Sequence, residues 1–170
     1  ESWSVVIPLD TGFVQTCSWP TWSTCSQYGY YFCNNYPLPL SLDFTDQTPE
    51  GALWTGIEVE MMGSLACENS GTVKFLLNNQ QFAAWEMHKA QYSCNCRIQQ
   101  DSHAEAATWN KNETDHYIDY FSYKTGGHNS FQIHPGPQME FCQCAVAVTG
   151  YYVFPSNSTG EQPQECYNIL

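Results

Sequence analysis

The chain begins with an alternation of apolar and polar positions. In residues 1–9, one side of an extended chain carries four apolar residues, Trp3, Val5, Ile7 and Leu9. Period-two alternation predicts a β-strand, and Pro8 on the opposite side is typical of an edge strand, because proline cannot donate a hydrogen bond to a neighbour. The pattern therefore predicts a strand at the edge of a sheet.

The clearest alternation lies in residues 54–62. The side expected to be buried carries Thr55, Ile57, Val59 and Met61, and the opposite side carries Glu58 and Glu60. The same period returns at Val73, Phe75 and Leu77, where Asn78-Asn79 predicts a turn. Further strands are predicted at residues 130–134 and 142–153, the second with Cys142, Cys144, Val146 and Val148 on one face.

Helical spacing is confined to residues 80–90 and 104–109, and both segments are short. Many short strands with little helix favour an all-β fold, an antiparallel β-sandwich or jelly roll. Composition suggests three regions: an N-terminal strand (1–10), a segment rich in cysteine and aromatic residues (11–41) and a β-sandwich domain (42–170).

The cysteine content of the chain indicates in which compartment the protein resides. The nine cysteines are Cys17, Cys25, Cys33, Cys67, Cys94, Cys96, Cys142, Cys144 and Cys166, and Asn112 and Asn157 each begin an N-x-S/T sequon. This combination predicts a secreted, extracellular glycoprotein that is stapled by disulfides and carries N-linked glycans on both asparagines. Because nine is odd, we expect one thiol to be free or bonded to another molecule.

Two C-x-C pairs, Cys94/Cys96 and Cys142/Cys144, present thiols two residues apart. On strands, such thiols share a face, so we expect the two pairs to face each other as two parallel disulfides. A four-thiolate zinc site is the alternative, but structural zinc sites usually space their ligands C-x2-4-C and oxidising compartments favour disulfides. The pairing of the cysteines stays open.

Net charge excludes some partners. The chain has 5 basic and 17 acidic residues and a formal net charge of -12, which opposes phosphate backbones and anionic membrane surfaces. We therefore expect no nucleic-acid partner. No stretch approaches the roughly 20 apolar residues of a membrane-spanning helix, so we expect no membrane span either.

No catalytic motif stands out in the chain, and we expect neither an enzyme nor a cofactor. The pairs Glu58/Glu60 and Asp115/Asp119 supply the two carboxylates that a glycosidase needs, but they are ordinary in so acidic a chain. We expect no metal; the weak alternative is calcium held by Asp43, Asp46 and Glu50, whose spacing is not that of an EF-hand.

A short segment, Trp19-Pro20-Thr21-Trp22-Ser23-Thr24-Cys25-Ser26, resembles the W-x-x-W-S-x-C-S opening of thrombospondin type 1 repeats. That resemblance implies C-linked mannose on Trp19 or Trp22. The following C-G-x-G and the alternating arginines of that family are missing, so the resemblance does not imply its three-layered fold. The alternative is that the two indoles cover disulfides.

A broader resemblance spans residues 42–154. The order is Leu42-Asp43-Phe44-Thr45-Asp46, a strand ending at Cys67, the C-x-C of Cys94, Gly126-Gly127-His128-Asn129 and a cysteine-containing strand leading into Tyr151-Tyr152. This order is similar to that of cysteine-rich β-sandwich domains in cell-surface and fibril proteins of amoebae and other protists. The resemblance implies an extracellular adhesive or structural role.

These features together predict a structural or adhesive building block that assembles with copies of itself into an extracellular fibril or surface coat. The strand of residues Trp3, Val5, Ile7 and Leu9 is the candidate donor strand, which would add to the open sheet edge of a neighbouring copy. Pairing of this strand within its own chain is the alternative. A carbohydrate-binding, lectin-like domain is the alternative function, since its many Trp, Tyr and Asn residues suit sugar binding.

Overall fold

The structure of the protein is a computed structural model. It describes residues 1–9, 19–20, 22, 31–32, 34–36, 40–65, 71–87, 97–98, 102–135 and 141–156. Seven of the cysteines, among them the C-x-C pair Cys94/Cys96, and the sequon asparagine Asn157 lie outside these ranges, so the predictions made on them stay predictions.

Strands dominate the described residues, and a single short helix accompanies them. The strands are β1 (Ser2–Pro8), β2 (Tyr31–Phe32), β3 (Asn34–Tyr36), β4 (Leu40–Thr45), β5 (Leu53–Leu65), β6 (Gly71–Leu77), β7 (Gln80–Met87), β8 (Arg97–Ile98), β9 (Ser102–Thr108), β10 (His128–Pro135) and β11 (Phe141–Val153). The helix, α1, covers Thr114–Phe121.

Two antiparallel sheets form the body of the fold. The first has the order β1-β11-β5-β9, with β3 also paired to β11, and the second has the order β4-β10-β6-β7. A separate ribbon joins β2 to β8. The apolar faces of both sheets meet in one core cluster, which includes Val59 and Val148 from the first sheet and Phe75 and Phe131 from the second. The predicted antiparallel all-β sandwich with little helix is confirmed.

Strand β5 follows the predicted alternation except at its beginning. Ile57, Val59 and Met61 are fully buried in the core, as expected. Thr55 was expected on the same face, but Trp54 takes the core position instead. A register shift opposite Tyr151 and Tyr152 inserts one extra residue into β5 and reverses the alternation there.

Hairpin β6–β7 explains why a predicted helical segment is a strand. Asn78 and Asn79 have φ angles of 48° and 67°, the left-handed values that a two-residue hairpin turn requires and that asparagine tolerates. The turn returns residues 80–87 along β6, which pairs with this segment from Gln80 to Met87. Over residues 80–87, the expectation of a helix at 80–90 was therefore wrong, because a local hairpin overrides the weak helical spacing.

The second expected helix, residues 104–109, was also wrong. These residues belong largely to β9, which forms the edge of the first sheet and pairs with β5. Alanine has the highest helix propensity, but tertiary context readily overrides propensity, and a segment this short cannot nucleate a helix alone. Glu105 lies opposite the core residue Val59 yet is exposed, so β9 carries a charge on the core-facing side of the sheet edge. Such charges discourage edge-to-edge pairing.

Helix α1 was not predicted. It begins after an exposed turn at residues 111–113, and the Thr114 hydroxyl donates to the Asn110 carbonyl over 3.4 Å. Its inner face holds Tyr117 and Phe121, and Tyr117 stacks on Trp109 with ring centroids 4.4 Å apart. Eight residues are too few for a clear helical period, and packing on the sandwich supplies the stability that local propensity lacks.

Strand β11 connects all three regions that the sequence suggested. It pairs with β1 from the N-terminal region, with β3 from segment 11–41 and with β5 from the predicted sandwich domain. A register shift between Gln143 and Ala145 falls inside its C-x-C segment. The side chains of Cys142 and Cys144 lie outside what the structure describes, so the prediction that they share a face with Val146 and Val148 stays a prediction.

Candidate functional site

Strand β1, the predicted donor strand, lies antiparallel to β11 of its own chain, with Trp3 opposite Gly150. Its apolar side faces the core: Trp3 is buried, while Val5, Ile7 and Leu9 are half-buried and pack against the core cluster. This is the intrachain pairing that the sequence left as the alternative. It places the four predicted residues on one inward face.

Trp3 is the anchor of β1. Its indole Nε1 donates to the Thr48 hydroxyl over 3.2 Å, and its ring lies 6.3 Å from the ring of Phe44 in the facing sheet. Gly150 leaves the space for this ring, because a Cβ added there would lie 2.2 Å from ring carbons of Trp3. A large aromatic side chain thus sits over a glycine-sized position on β11.

The backbone of β1 is hydrogen-bonded to one neighbouring strand. β1 is an edge of its sheet within the described residues, since only β11 pairs with it. At its beginning, the amino group of Glu1 donates to the Tyr152 carbonyl over 3.3 Å, and the Tyr152 amide donates to the Glu1 carbonyl over 3.0 Å. One hydrogen-bonded edge, the Trp3 anchor and the packing of Val5, Ile7 and Leu9 therefore hold the strand.

The predicted C-mannosylation sites lie differently in the fold. Trp19 is half-buried, and its indole Nε1 donates to Glu60 Oε2 over 3.2 Å. Trp22 is fully buried. An indole that is completely covered leaves no room for a sugar that reaches solvent, so Trp19 is the better placed of the two.

Trp19 also marks a covered outer face of the first sheet. Three residues of β5 and β11 that alternate with core residues are nevertheless fully buried: Met62, Ala145 and Ala147. The contact between Trp19 and Glu60 puts some of segment 11–41 over this face. Burial raises the pKa of Glu60; the hydrogen bond from Trp19 opposes that rise, and the neighbouring charge of Glu58 adds to it.

The calcium candidates are not brought together. The Asp46 carboxylate is buried and already accepts from the amides of Thr48 and Gly126 and from the Tyr123 hydroxyl, at 2.9, 2.8 and 2.5 Å. Asp43 and Glu50 are exposed. No group of three His, Cys, Asp or Glu side chains suited to a metal occurs among the described residues. Asp46 instead ties β4 to the turn at residues 124–127.

Tyr123 shares this buried position with Asp46. Its ring stacks on Trp54 with centroids 3.6 Å apart and planes 5° apart. Burial raises the pKa of the Tyr123 hydroxyl, and the carboxylate of Asp46 raises it further. The phenol therefore stays protonated and remains a hydrogen-bond donor.

A polar pocket of about 370 Å³ opens where three loops and strand ends meet. Its lining comes from the β6–β7 turn, the end of α1 and the beginning of β10: Asn78, Asn79, Ser122, Lys124, His128, Asn129 and Ser130. The sequence marked Asn78-Asn79 as a turn and contains Gly126-Gly127-His128-Asn129 within the broader resemblance, but no periodicity indicates that the two meet.

The candidate modification and carboxylate sites occupy the surface. Asn112 is exposed in the turn before α1, and the hydroxyl-bearing Thr114 of its sequon is buried. Glu58 is half-buried on the outer side of β5, where its Oε2 accepts from the Tyr151 hydroxyl over 3.2 Å, and burial raises the pKa of Tyr151. Asp115 and Asp119 both lie on α1, and both are exposed.

Comparisons with known proteins add no family to this description. No protein-family model matches the chain, and a search of curated proteins found no similar sequence. Among the residues that the structure describes, no helix is long and apolar enough to cross a membrane.

Proposed function

We propose that this protein is a secreted, glycosylated building block that assembles with copies of itself into an extracellular fibril or surface coat by exchanging β1. In the exchanged state, β1 of one copy takes its place beside β11 of the next. Such a head-to-tail contact does not close on itself and so propagates as a filament.

The observation that carries the proposal is the fit between Trp3 and Gly150. A strand attached along one edge, with one large side chain over a glycine-sized position, is a separable element that fits a specific acceptor. Extended strands bind sheet edges in this way, with main-chain hydrogen bonds for affinity and pockets for alternate side chains.

Chain length allows the exchange. Nine residues, 10–18, separate Leu9 from Trp19, which contacts Glu60 on the first sheet. A fully extended chain of that length spans about 30 Å, while the seven residues of β1 span roughly 23 Å. The connection can therefore extend by more than the length of β1 while Trp19 stays on its own sheet, which supports an exchange of β1 between neighbouring copies.

The opposite edge of the first sheet supports a directional assembly. Glu105 puts an exposed charge on the core-facing side of β9, which disfavours addition of a strand there.

An exposed Asn112 supports N-linked glycosylation of a surface outside the β1–β11 ladder. Assembly through β1 is thus compatible with a sugar-covered exterior.

Deletion of residues 1–9 tests the proposal. The full chain, secreted from a glycosylating host, should form fibres or ladders of oligomers in negative-stain images and in sedimentation, and the shortened chain should remain monomeric. A chain carrying Ser2→Ala is the matched control, because Ser2 is exposed on the same strand, and it should assemble normally.

A peptide of residues 1–9 separates loss of assembly from loss of folding. Added to the shortened chain, the peptide should bind and raise its melting temperature, and the same peptide with Trp3→Ala should do neither. Added to the full chain, it should shorten the fibres. A full chain that stays monomeric at all concentrations, or a shortened chain that polymerises equally well, would overturn the proposal.

A further inference from the structure

The polar pocket has a floor that is already built. Asn78 Nδ2 donates to Asn129 Oδ1 over 2.9 Å, and the Ser130 amide donates to Asn78 Oδ1 over 2.9 Å. Asn129, which is buried, also accepts from the Lys124 amide and donates to the Lys124 and Gly127 carbonyls. Both side-chain amides are therefore engaged within the fold, and they hold three chain segments in fixed positions.

The rim groups keep hydrogen-bonding capacity for a ligand. Lys124 takes part in the floor only through its backbone atoms, so its ammonium group is available. His128 bonds Thr45 through Nδ1 at 3.1 Å, which leaves Nε2. Ser130 Oγ accepts from Gln132 over 2.7 Å and keeps its own proton to donate. Ser122 and Asn79 also line the pocket.

The charge of the rim is unusual for this chain. Lys124 is one of five basic residues against seventeen acidic ones, and it is among the residues that line the pocket. Two carboxylates lie near: Asp46, whose oxygens are bound behind the 124–127 turn, and Asp43, which lies opposite Ser130 on β4. A negative group in the pocket is thus favoured on the Lys124 side and disfavoured on the Asp43 side.

From this geometry we infer that the pocket binds a small acidic saccharide, a sugar unit that carries a carboxylate or sulfate group. The anionic group pairs with the Lys124 ammonium, and ring hydroxyls bond Ser130, His128 and Asn79. About 370 Å³ lies near the lower end for small-molecule sites. The lining side chains are all polar, which suits a ligand that is a polyol rather than an apolar molecule. This inference does not rest on the proposed strand exchange.

Four probes distinguish the features of the ligand that are recognised: glucuronic acid, glucose 6-sulfate, glucose and inorganic sulfate. Titrations followed by amide NMR should show the two acidic sugars shifting residues 122–130, with both glucose and sulfate binding more weakly. Lys124→Met should weaken binding of the acidic sugars roughly tenfold or more, as expected for loss of a hydrogen bond to a charged group, and Lys124→Arg should restore most of it.

The chain offers a matched control. Lys74 and His134 lie opposite each other on β6 and β10, in the same sheet as the pocket but outside its lining. Lys74→Met should leave binding unchanged, and Lys124→Met should keep the melting temperature because the floor uses only its backbone. Any one of four results would overturn the inference. Glucose could bind as tightly as the acidic sugars, or sulfate as tightly as glucose 6-sulfate. The two lysine variants could lose equal affinity for the acidic sugars, or no probe could shift any amide.

Discussion

Replacing Gly150 by alanine tests how β1 is held. The added Cβ would lie 2.2 Å from Cε2 and Cζ2 of Trp3, about 1.3 Å short of the roughly 3.5 Å at which carbon atoms attract. The obstacle is a buried ring rather than the end of a flexible side chain. Either the indole leaves its place beside Phe44, or β1 moves off β11.

The expected change in the free energy of unfolding is the balance of two opposing effects. Alanine in place of a strand glycine normally stabilises a protein, by about 0.5–1 kcal/mol, because glycine loses more freedom on folding. Overpacking a filled core costs about 1–3 kcal/mol, and we expect the upper half of that range here. Trp3→Ala alone should cost about 3–5 kcal/mol, since it also removes the bond to Thr48.

The double variant, Trp3→Ala with Gly150→Ala, tests whether the clash with Trp3 causes the loss of stability. Once Trp3 is alanine, the space over residue 150 is free, so Gly150→Ala should then cost nothing or stabilise slightly. The two single costs should exceed the cost of the double variant by about 2–3 kcal/mol, a coupling expected only for residues in direct contact.

Urea unfolding of dilute, monomeric protein measures the free energy of unfolding of the parent, the two single variants and the double variant. Hydrogen exchange of the β1 amides reports detachment of the strand. Ser4→Ala serves as the control on the outward side of β1, where its hydroxyl contacts Thr149, and should have a small effect. A Gly150→Ala chain that is more stable than the parent, or single costs that simply add, would refute the packing of Trp3 over Gly150.

Three further changes probe other regions of the fold. Tyr123→Phe removes one of the donors to the buried Asp46 and should lower the free energy of unfolding by about 1–3 kcal/mol; an unchanged urea midpoint would contradict this role. Burial raises the pKa of Glu60 above 4.5, so this group destabilises the fold as pH rises through its folded-state pKa; Glu60→Gln should raise the melting temperature at pH 7 and change it less at pH 4, and a gain confined to acid pH would reverse that sign. Glu105→Val removes the charge on the core-facing side of β9 and should promote concentration-dependent association in sedimentation, whereas unaltered association would show that this charge does not protect the edge.

Local patterns predicted five of the eleven described strands, β1, β5, β6, β10 and β11, because period-two alternation follows directly from strand geometry. Val73, Phe75 and Leu77 were placed on one buried face, and Asn78-Asn79 in a turn, from the sequence alone. The face of Thr55 was predicted wrongly because one inserted residue reverses the alternation there. The bulge that brings Trp54 into the core depends on the pairing of β5 with β11, which no local window contains.

The candidate sites divide in the same way. The apolar side of β1 was readable in the sequence, but the match of Trp3 to Gly150 joins residues 147 positions apart, and only the register of β1 and β11 creates it. The pocket was not predicted because nothing in the sequence distinguishes Asn78 and Asn129 from other polar residues before the hairpin and the beginning of β10 meet. Calcium was a poor candidate because the Asp46 oxygens accept from backbone amides and from Tyr123 in the folded chain.

By itself, the sequence determined the strand-rich class, the strongly acidic charge and the inward side of strands with clear alternation such as β1 and β6, since these depend on composition and on neighbours a few residues apart. Tertiary structure decided which strands are neighbours, where bulges reverse a face, which segment covers the outer face of the first sheet and where a polar pocket opens. The physical reason is that these features depend on contacts between distant segments, whose geometry is set by the packing of the whole sandwich.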